Sequence, residues 1–219
     1  MRVLVLCPTL PSPDATYAGC FFLDHASAVA STGHAVDLVH LIRGSLRSWS
    51  MRSARIMYRQ PRVELQDGVR IFRQAGWNAP LPPRWSGPLW AHRQFGMLSK
   101  YFIRFGFPDV IHAHVALWAG YAAYLCHKRF GVPYVITEHS SSLIVRPPSP
   151  SESRYYSDIY NHAGAVIAVG QALAKRMVPM VSNHEIKVIP NPVNQVFIDR
   201  GSNTRRTSLD FIVVSTGSL

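Results

Sequence analysis

Apolar residues fall in short continuous runs, separated by segments with helical spacing. Runs at 2–7 (RVLVLC), 35–41 (AVDLVHL), 69–73 (VRIFR), 109–114 (DVIHAH), 133–138 (PYVITE), 164–169 (GAVIAV) and 186–190 (IKVIP) are rich in β-branched residues. They do not alternate with polar residues, which predicts strands covered on both faces. Between the first two, residues 20–32 place Phe22, Ala26, Val29 and Ala30 on one helical face, and Gly33 supplies a C-terminal cap. Further helices are predicted over 88–105, 118–130, 152–162 and 171–178. Strands alternating with helices predict an α/β fold: a doubly wound, mostly parallel sheet of about seven strands.

Two segments depart from this rhythm. Residues 42–62 carry arginines at 43, 47, 52, 55, 59 and 62 among Trp49, Met51, Ile56, Met57 and Tyr58, with no acidic residue. Residues 74–92 are rich in Pro, Gly and Trp, and helix returns only towards their end. Both read as long excursions from the sheet. A basic stretch with interleaved aromatics fits an anionic membrane surface or a polyanion, and equally a solvated helix with an apolar underside. Residues 201–209 (GSNTRRTSL) read as a polar linker, and 210–219 as the opening strand of a second α/β unit. The expected organisation is therefore a domain over 1–200, a linker over 201–209, and the start of a second domain over 210–219.

The 219 residues can bury a sizeable core, and 47% hydrophobic against 16% charged residues excludes a disordered chain. The net charge of +11 does change the picture. Such a field favours an anionic partner: nucleic acid, acidic lipid or a phosphate-bearing substrate. Arginine supplies most of it, although a compositional bias of the coding DNA would do the same. No nucleic-acid motif accompanies it. Three scattered cysteines at 7, 20 and 126 fit neither a disulfide framework nor a zinc site, and point to a reducing cytoplasm. The first ten residues are too short for a signal peptide, and no run approaches the length needed to span a membrane.

Candidate chemistry gathers at the carboxyl ends of the predicted strands, where open parallel sheets bind ligands. The first strand leads through a long turn containing Tyr17, Gly19 and Cys20 into a helix whose N-terminus suits a phosphate. The same glycine is equally explained by backbone needs of the turn. The fourth strand ends in His112-Ala113-His114, and alternation points both imidazoles to one face. The next strand ends in Thr137-Glu138-His139, so that His114, Glu138 and His139 are expected in one cleft. His112, deeper in the strand, reads as a hydrogen-bonded core residue. By residue type alone, the histidines with Glu138 could instead ligate zinc, as in a metal-dependent hydrolase using His112, His114 and His139.

Taken together, these segments resemble the N-terminal, acceptor-side half of a family 4 retaining glycosyltransferase of the GT-B architecture. "TYAGCFFLDHASAVASTGHAVDLVHL", "PDVIHAH…GVPYVITEHS" and "AVIAVGQALAKRMV…EIKVIPNPVNQVFI" carry the resemblance in order over nearly the whole chain. It implies two Rossmann-like domains across a cleft, with acceptor on this side and a sugar nucleotide held mainly by the second domain. It further implies the Gly19 loop near the donor diphosphate, His114 at the transferred sugar, His139 lining the cleft, and no metal or other cofactor. The departures are Cys20 where many relatives have glycine, Gly170 where serine is usual, "NPV" at 191–193 in place of "NGV", and Ser218 where an arginine often grips the diphosphate. With most of the donor site beyond residue 219, the isolated chain is expected neither to transfer sugar nor to bind a sugar nucleotide tightly. The implied acceptor is a lipid-linked glycan or glycolipid. The implied location is cytoplasmic, at the inner face of the cytoplasmic membrane, with segment 42–62 on anionic lipid. The alternatives are the metal-dependent hydrolase and a non-catalytic basic binding module.

Overall fold

The computed structural model describes residues 1–11, 17–45, 51, 62–78 and 83–192. Most of segment 42–62, the linker over 201–209, the strand over 210–219 and Ser218 lie outside the described residues. Eight strands form one sheet in the order β3-β4-β2-β1-β5-β6-β7-β8. They are β1 (Arg2–Leu6), β2 (Ala35–Ser45), β3 (Arg62–Gln66), β4 (Val69–Asn78), β5 (Val110–His114), β6 (Tyr134–Glu138), β7 (Ala165–Ala168) and β8 (Ile186–Val188). All pairings are parallel except β3 with β4. The helices are α1 (Cys20–Ser31), α2 (Pro83–Phe105), α3 (Tyr121–Phe130), α4 (Ser142–Val145), α5 (Pro150–Asn161) and α6 (Gln171–Met177).

The continuous apolar strands are divided by alternation between two cores. In β1, Val3, Val5 and Cys7 pack with Phe22, Leu23 and Ala26 of α1 on one face. Leu4 and Leu6 face the other way, into a larger core with Tyr101 of α2, Ala123 of α3 and Ile159 of α5. In β5, Ile111 and Ala113 belong to that larger core, so His112 and His114 point to the α1 side. The doubly wound sheet follows from these two buried faces.

Seven strands lie where the apolar runs place them, and the eighth, β3, corrects the expected count. Its residues are exposed throughout, so it has no apolar pattern to read. It forms an antiparallel edge hairpin with β4 across Asp67-Gly68, whose φ values of 49° and 78° are those of a two-residue turn favoured by this dipeptide. The two excursions are also shorter than expected. β2 and β4 continue side by side, pairing Ile42 with Ala75 and Ser45 with Asn78, and α2 begins at Pro83 rather than 88.

At the amino end of the sheet, Asp37 collects Arg2, Arg70 and the Tyr101 hydroxyl. Burial pushes its carboxyl up, but the hydrogen bonds from Arg70 and Tyr101 and the charge of Arg70 hold it below the usual carboxylate range. This pins β1, β2, β4 and α2 at the end opposite the predicted chemistry. The strand order reverses direction between β1 and β5, where β1 pairs with β2 on one side and β5 on the other. Loops diverge there, leaving a crevice above the carboxyl edge.

Candidate active site

His114 ends β5 opposite Thr137 of β6, and it is the most enclosed of the three histidines expected at this edge, at 1% exposed. Strand position had placed it nearer the surface than His112, yet His112 is 8% exposed. The cause is α1, which lays Phe22 over the His114 ring at a centroid distance of 4.9 Å and His25 at 5.2 Å. His114 Nδ1 lies 2.9 Å from His139 Nε2, so the two rings share one proton. A proton on His114 leaves its Nε2 a bare acceptor, and a proton on His139 makes that Nε2 a donor. Among the described residues, neither His114 Nε2 nor His139 Nδ1 has a hydrogen-bond partner. His112 is bonded through Nε2 to Thr137 Oγ1 at 2.8 Å, the satisfied core arrangement expected of it.

A cavity of ≈ 50 Å³ opens against His114 and His139. Phe21 and His25 of α1, Ile167 of β7 and the stretch Ile189–Pro192 close it. Burial is the main cause holding all four imidazoles neutral. His112 is lowered to about 3 by burial and then by the nearby His25 and His139. His139 is lowered to about 4 by burial and His25, with Asn191 pulling the other way. His25 and His114 are lowered for the same first reason. The site therefore offers neutral, tautomer-selected ring nitrogens to a polar ligand.

Glu138 does not enter this cavity. It follows Thr137 by one residue and points to the opposite face of the sheet, where it is 0% exposed. Its carboxylate accepts from Ala116 N and the Tyr160 hydroxyl on one oxygen, and from His139 N and Ser140 N on the other. Burial pushes the carboxyl above the ordinary range while these four donors pull it back. Glu138 thus organises the site from behind. It holds the backbone of His139, and it pins the turn after His114, in which Val115 and Trp118 take φ values of 74° and 76°. For β-branched Val115 such a φ is an outlier, and strain of this kind is held only where the surroundings fix it.

Gly19, Cys20 and Tyr17 sit at the start of α1, outside the cavity wall; Tyr17 and Cys20 are exposed. Gly19 has φ 71°, and a Cβ there would come within 2.6 Å of the Thr9 carbonyl oxygen. Its need for glycine is therefore a backbone one. Gly170 caps α6 in extended backbone, and a Cβ there meets nothing within 4 Å. The usual serine would fit without strain. Accordingly, Gly19→Ala should cost about 2–3 kcal/mol, whereas Gly170→Ser should stay within about 0.5 kcal/mol. Urea denaturation of the two variants checks the contrast.

Residue types alone did not single out His25 and Phe21, although the spacing Phe21, Phe22, His25 marks one helical face turned towards the sheet edge. The trio His112, His114 and His139 is not gathered about a point, since two of these rings are bonded to each other and the third to Thr137. Among the described residues, the close histidine group is His25, His112 and His114.

The chain and its fold have counterparts among known proteins. The chain is 25% identical over 197 residues to the protein designated as the teichuronic acid biosynthesis glycosyltransferase TuaC of Bacillus subtilis (strain 168), covering 87% of this chain and 49% of that protein. It thus spans about half the length of the curated relative it matches. Its fold resembles a chain of sucrose-phosphate synthase from Thermosynechococcus elongatus, with a TM-score of 0.63 and 15% identity over 92% of this chain and 96% of that one. HepE from Anabaena, solved with UDP and glucose, gives a TM-score of 0.50 at 17% identity over 89% of this chain and 45% of that one. At such identities the structural likeness is one of fold. Residues 19–196, which take in α1 to α6 and β2 to β8, match the family model, and the chain belongs to Glycosyltransferase Family 4.

Proposed function

We propose that this chain is the acceptor-side half of a retaining glycosyltransferase, which moves a sugar from a nucleotide-sugar donor to a glycan or glycolipid acceptor. One observation carries the reading. His114 Nε2 is buried and unpartnered at the wall of a small cavity on the carboxyl edge of the sheet, and Nδ1 is tied to His139. A hydroxyl of the transferred sugar would complete that nitrogen. A neutral ring whose other nitrogen is already fixed is oriented before the sugar arrives, so its hydrogen bond can steady charge developing at the reacting carbon. The α1 N-terminus at Gly19, with Tyr17 and Cys20 beside it, would face the donor diphosphate, Gly170 would contribute from the start of α6, and Ser218 is carried over from the family pattern alone. A nucleotide sugar as donor is supported by family membership and by HepE, solved with UDP and glucose. A surface polysaccharide as product is supported by the likeness to TuaC.

Among the described residues, no helix is long and apolar enough to cross a membrane. A lipid-linked acceptor would be met at the inner face of the cytoplasmic membrane, with the arginines of segment 42–62 against anionic lipid; its first four residues belong to β2. The chemistry proposed needs no metal ion or other cofactor, because helix dipole and basic side chains can stabilise the departing diphosphate.

His114→Gln in the full-length protein tests the reading. UDP-sugar turnover with membrane acceptors should fall by about 100-fold or more, mostly in kcat, while far-UV circular dichroism remains that of the parent. Turnover within threefold of the parent in a folded His114→Gln variant would remove His114 from the reaction and defeat the proposal.

A further inference from the structure

We propose that His25, His112 and His114 form a binding site for a divalent transition-metal ion of the zinc type. One ring nitrogen from each lies within 4.8 Å of the other two. At that outer separation each nitrogen would move inward by about 0.8 Å to reach tetrahedral spacing with metal–nitrogen bonds of about 2.1 Å. Ring rotation covers such a distance.

The hydrogen bonds around the cluster admit the tautomers that this role needs. His114 Nδ1–H donating to His139 Nε2 leaves a lone pair on His114 Nε2, which has no other partner. His112 Nε2–H donating to Thr137 Oγ1 leaves the lone pair on His112 Nδ1. His25 Nδ1 is buried and also without a partner. His139 and Thr137 are then the outer partners that orient metal-bound imidazoles in known sites. Three neutral imidazoles suit Zn²⁺, Cu²⁺ or Ni²⁺ better than Mg²⁺ or Ca²⁺, which take oxygen.

The cavity supplies the fourth position. His25 and His114 both line it, and its ≈ 50 Å³ exceeds what one water needs. A metal there would keep a water and be reached from the cleft. Glu138 lies on the opposite face of the sheet and takes no part. The site stands on its own geometry, whether or not His114 meets a sugar. Metal bound there would occupy His114 Nε2 and so oppose the sugar contact proposed above.

The test uses the purified 219-residue chain and two probes, Co²⁺ followed by its visible absorption and Zn²⁺ in competition with a chromogenic chelator. One equivalent of Co²⁺ should give the intense bands of a four- or five-coordinate site, displaced by Zn²⁺. His25→Gln should weaken binding by about tenfold or more and change the spectrum, and His34→Gln, remote from the cluster, should do neither. His25 is only half-buried, so its variant decides the matter even if His112→Gln fails to fold. A pale octahedral Co²⁺ spectrum, or His25→Gln binding as tightly as the parent, overturns the proposal.

Discussion

Replacing Glu138 by alanine is expected to destabilise the chain by about 3–5 kcal/mol, because it strips several donors of their shared acceptor. The carboxylate is completely enclosed, and its two oxygens accept two donors each. Removing it leaves the Ala116 amide and the Tyr160 hydroxyl buried without an acceptor, and the part-buried amides of His139 and Ser140 without theirs. Tyr160 can turn its hydroxyl elsewhere, but the three amides cannot. Each orphaned amide costs about 1–3 kcal/mol when water cannot reach it. Water entering the vacated space would reduce the sum towards the lower figure.

Glu138→Gln sharpens this expectation. The amide oxygen can keep the pair His139 N and Ser140 N, while the new NH₂ meets Ala116 N and the Tyr160 oxygen. A hydroxyl can accept as readily as donate, so only Ala116 N is lost, for about 1–3 kcal/mol. Urea denaturation should therefore rank parent, Gln and Ala in that order, with Tm falling by roughly 6–20 °C for Ala. Equal stabilities for Gln and Ala would mean that the enclosed space, rather than the donors, governs the effect. Because Ala116 follows the strained Val115 directly, loss of its bond should also loosen the turn after His114.

How far such a site was legible depends on the signal each residue leaves. The seven parallel strands were legible because burial on both faces favours continuous apolar runs, as in Val3–Leu6. β3 left no such trace: all five of its residues are exposed, and only Asp67-Gly68 marks the hairpin. His114 and His139 were legible from strand ends alone. Proximity in sequence puts Glu138 in their cleft, but alternation sends it to the other face of the sheet. His25 was missed because a histidine within a helix has no local mark of its role. Its meaning comes from α1 crossing the ends of β1 and β5, a packing fact that periodicity does not encode.

The same burial that keeps these imidazoles neutral should make the chain acid-labile well above the usual range of carboxylate titration. His112 is lowered to about 3, and His40 and His139 to about 4, each chiefly by burial, with Arg73 adding at His40. Unfolded histidines take up a proton near pH 6.5. Between pH 6.5 and about 4 the unfolded chain binds more protons than the native one, so native stability falls as pH falls through that window. Taken singly, each of the three costs about 2 kcal/mol between pH 7 and pH 5, or roughly 4–6 kcal/mol together, against a typical total of 5–15 kcal/mol. His25 and His114 are lowered in the same direction and steepen the slope. Glu138 acts the opposite way, since its raised carboxyl favours the native state as pH falls, but it is one group against five. Asp37, held low, contributes only below the window. The urea midpoint should therefore drop steeply from pH 7 to pH 5, with net proton uptake on unfolding. His40→Gln, which leaves the candidate site untouched, should remove part of that slope. A midpoint that is flat across the window would show that water reaches these rings in the native state, and that His114 is not held neutral by its surroundings.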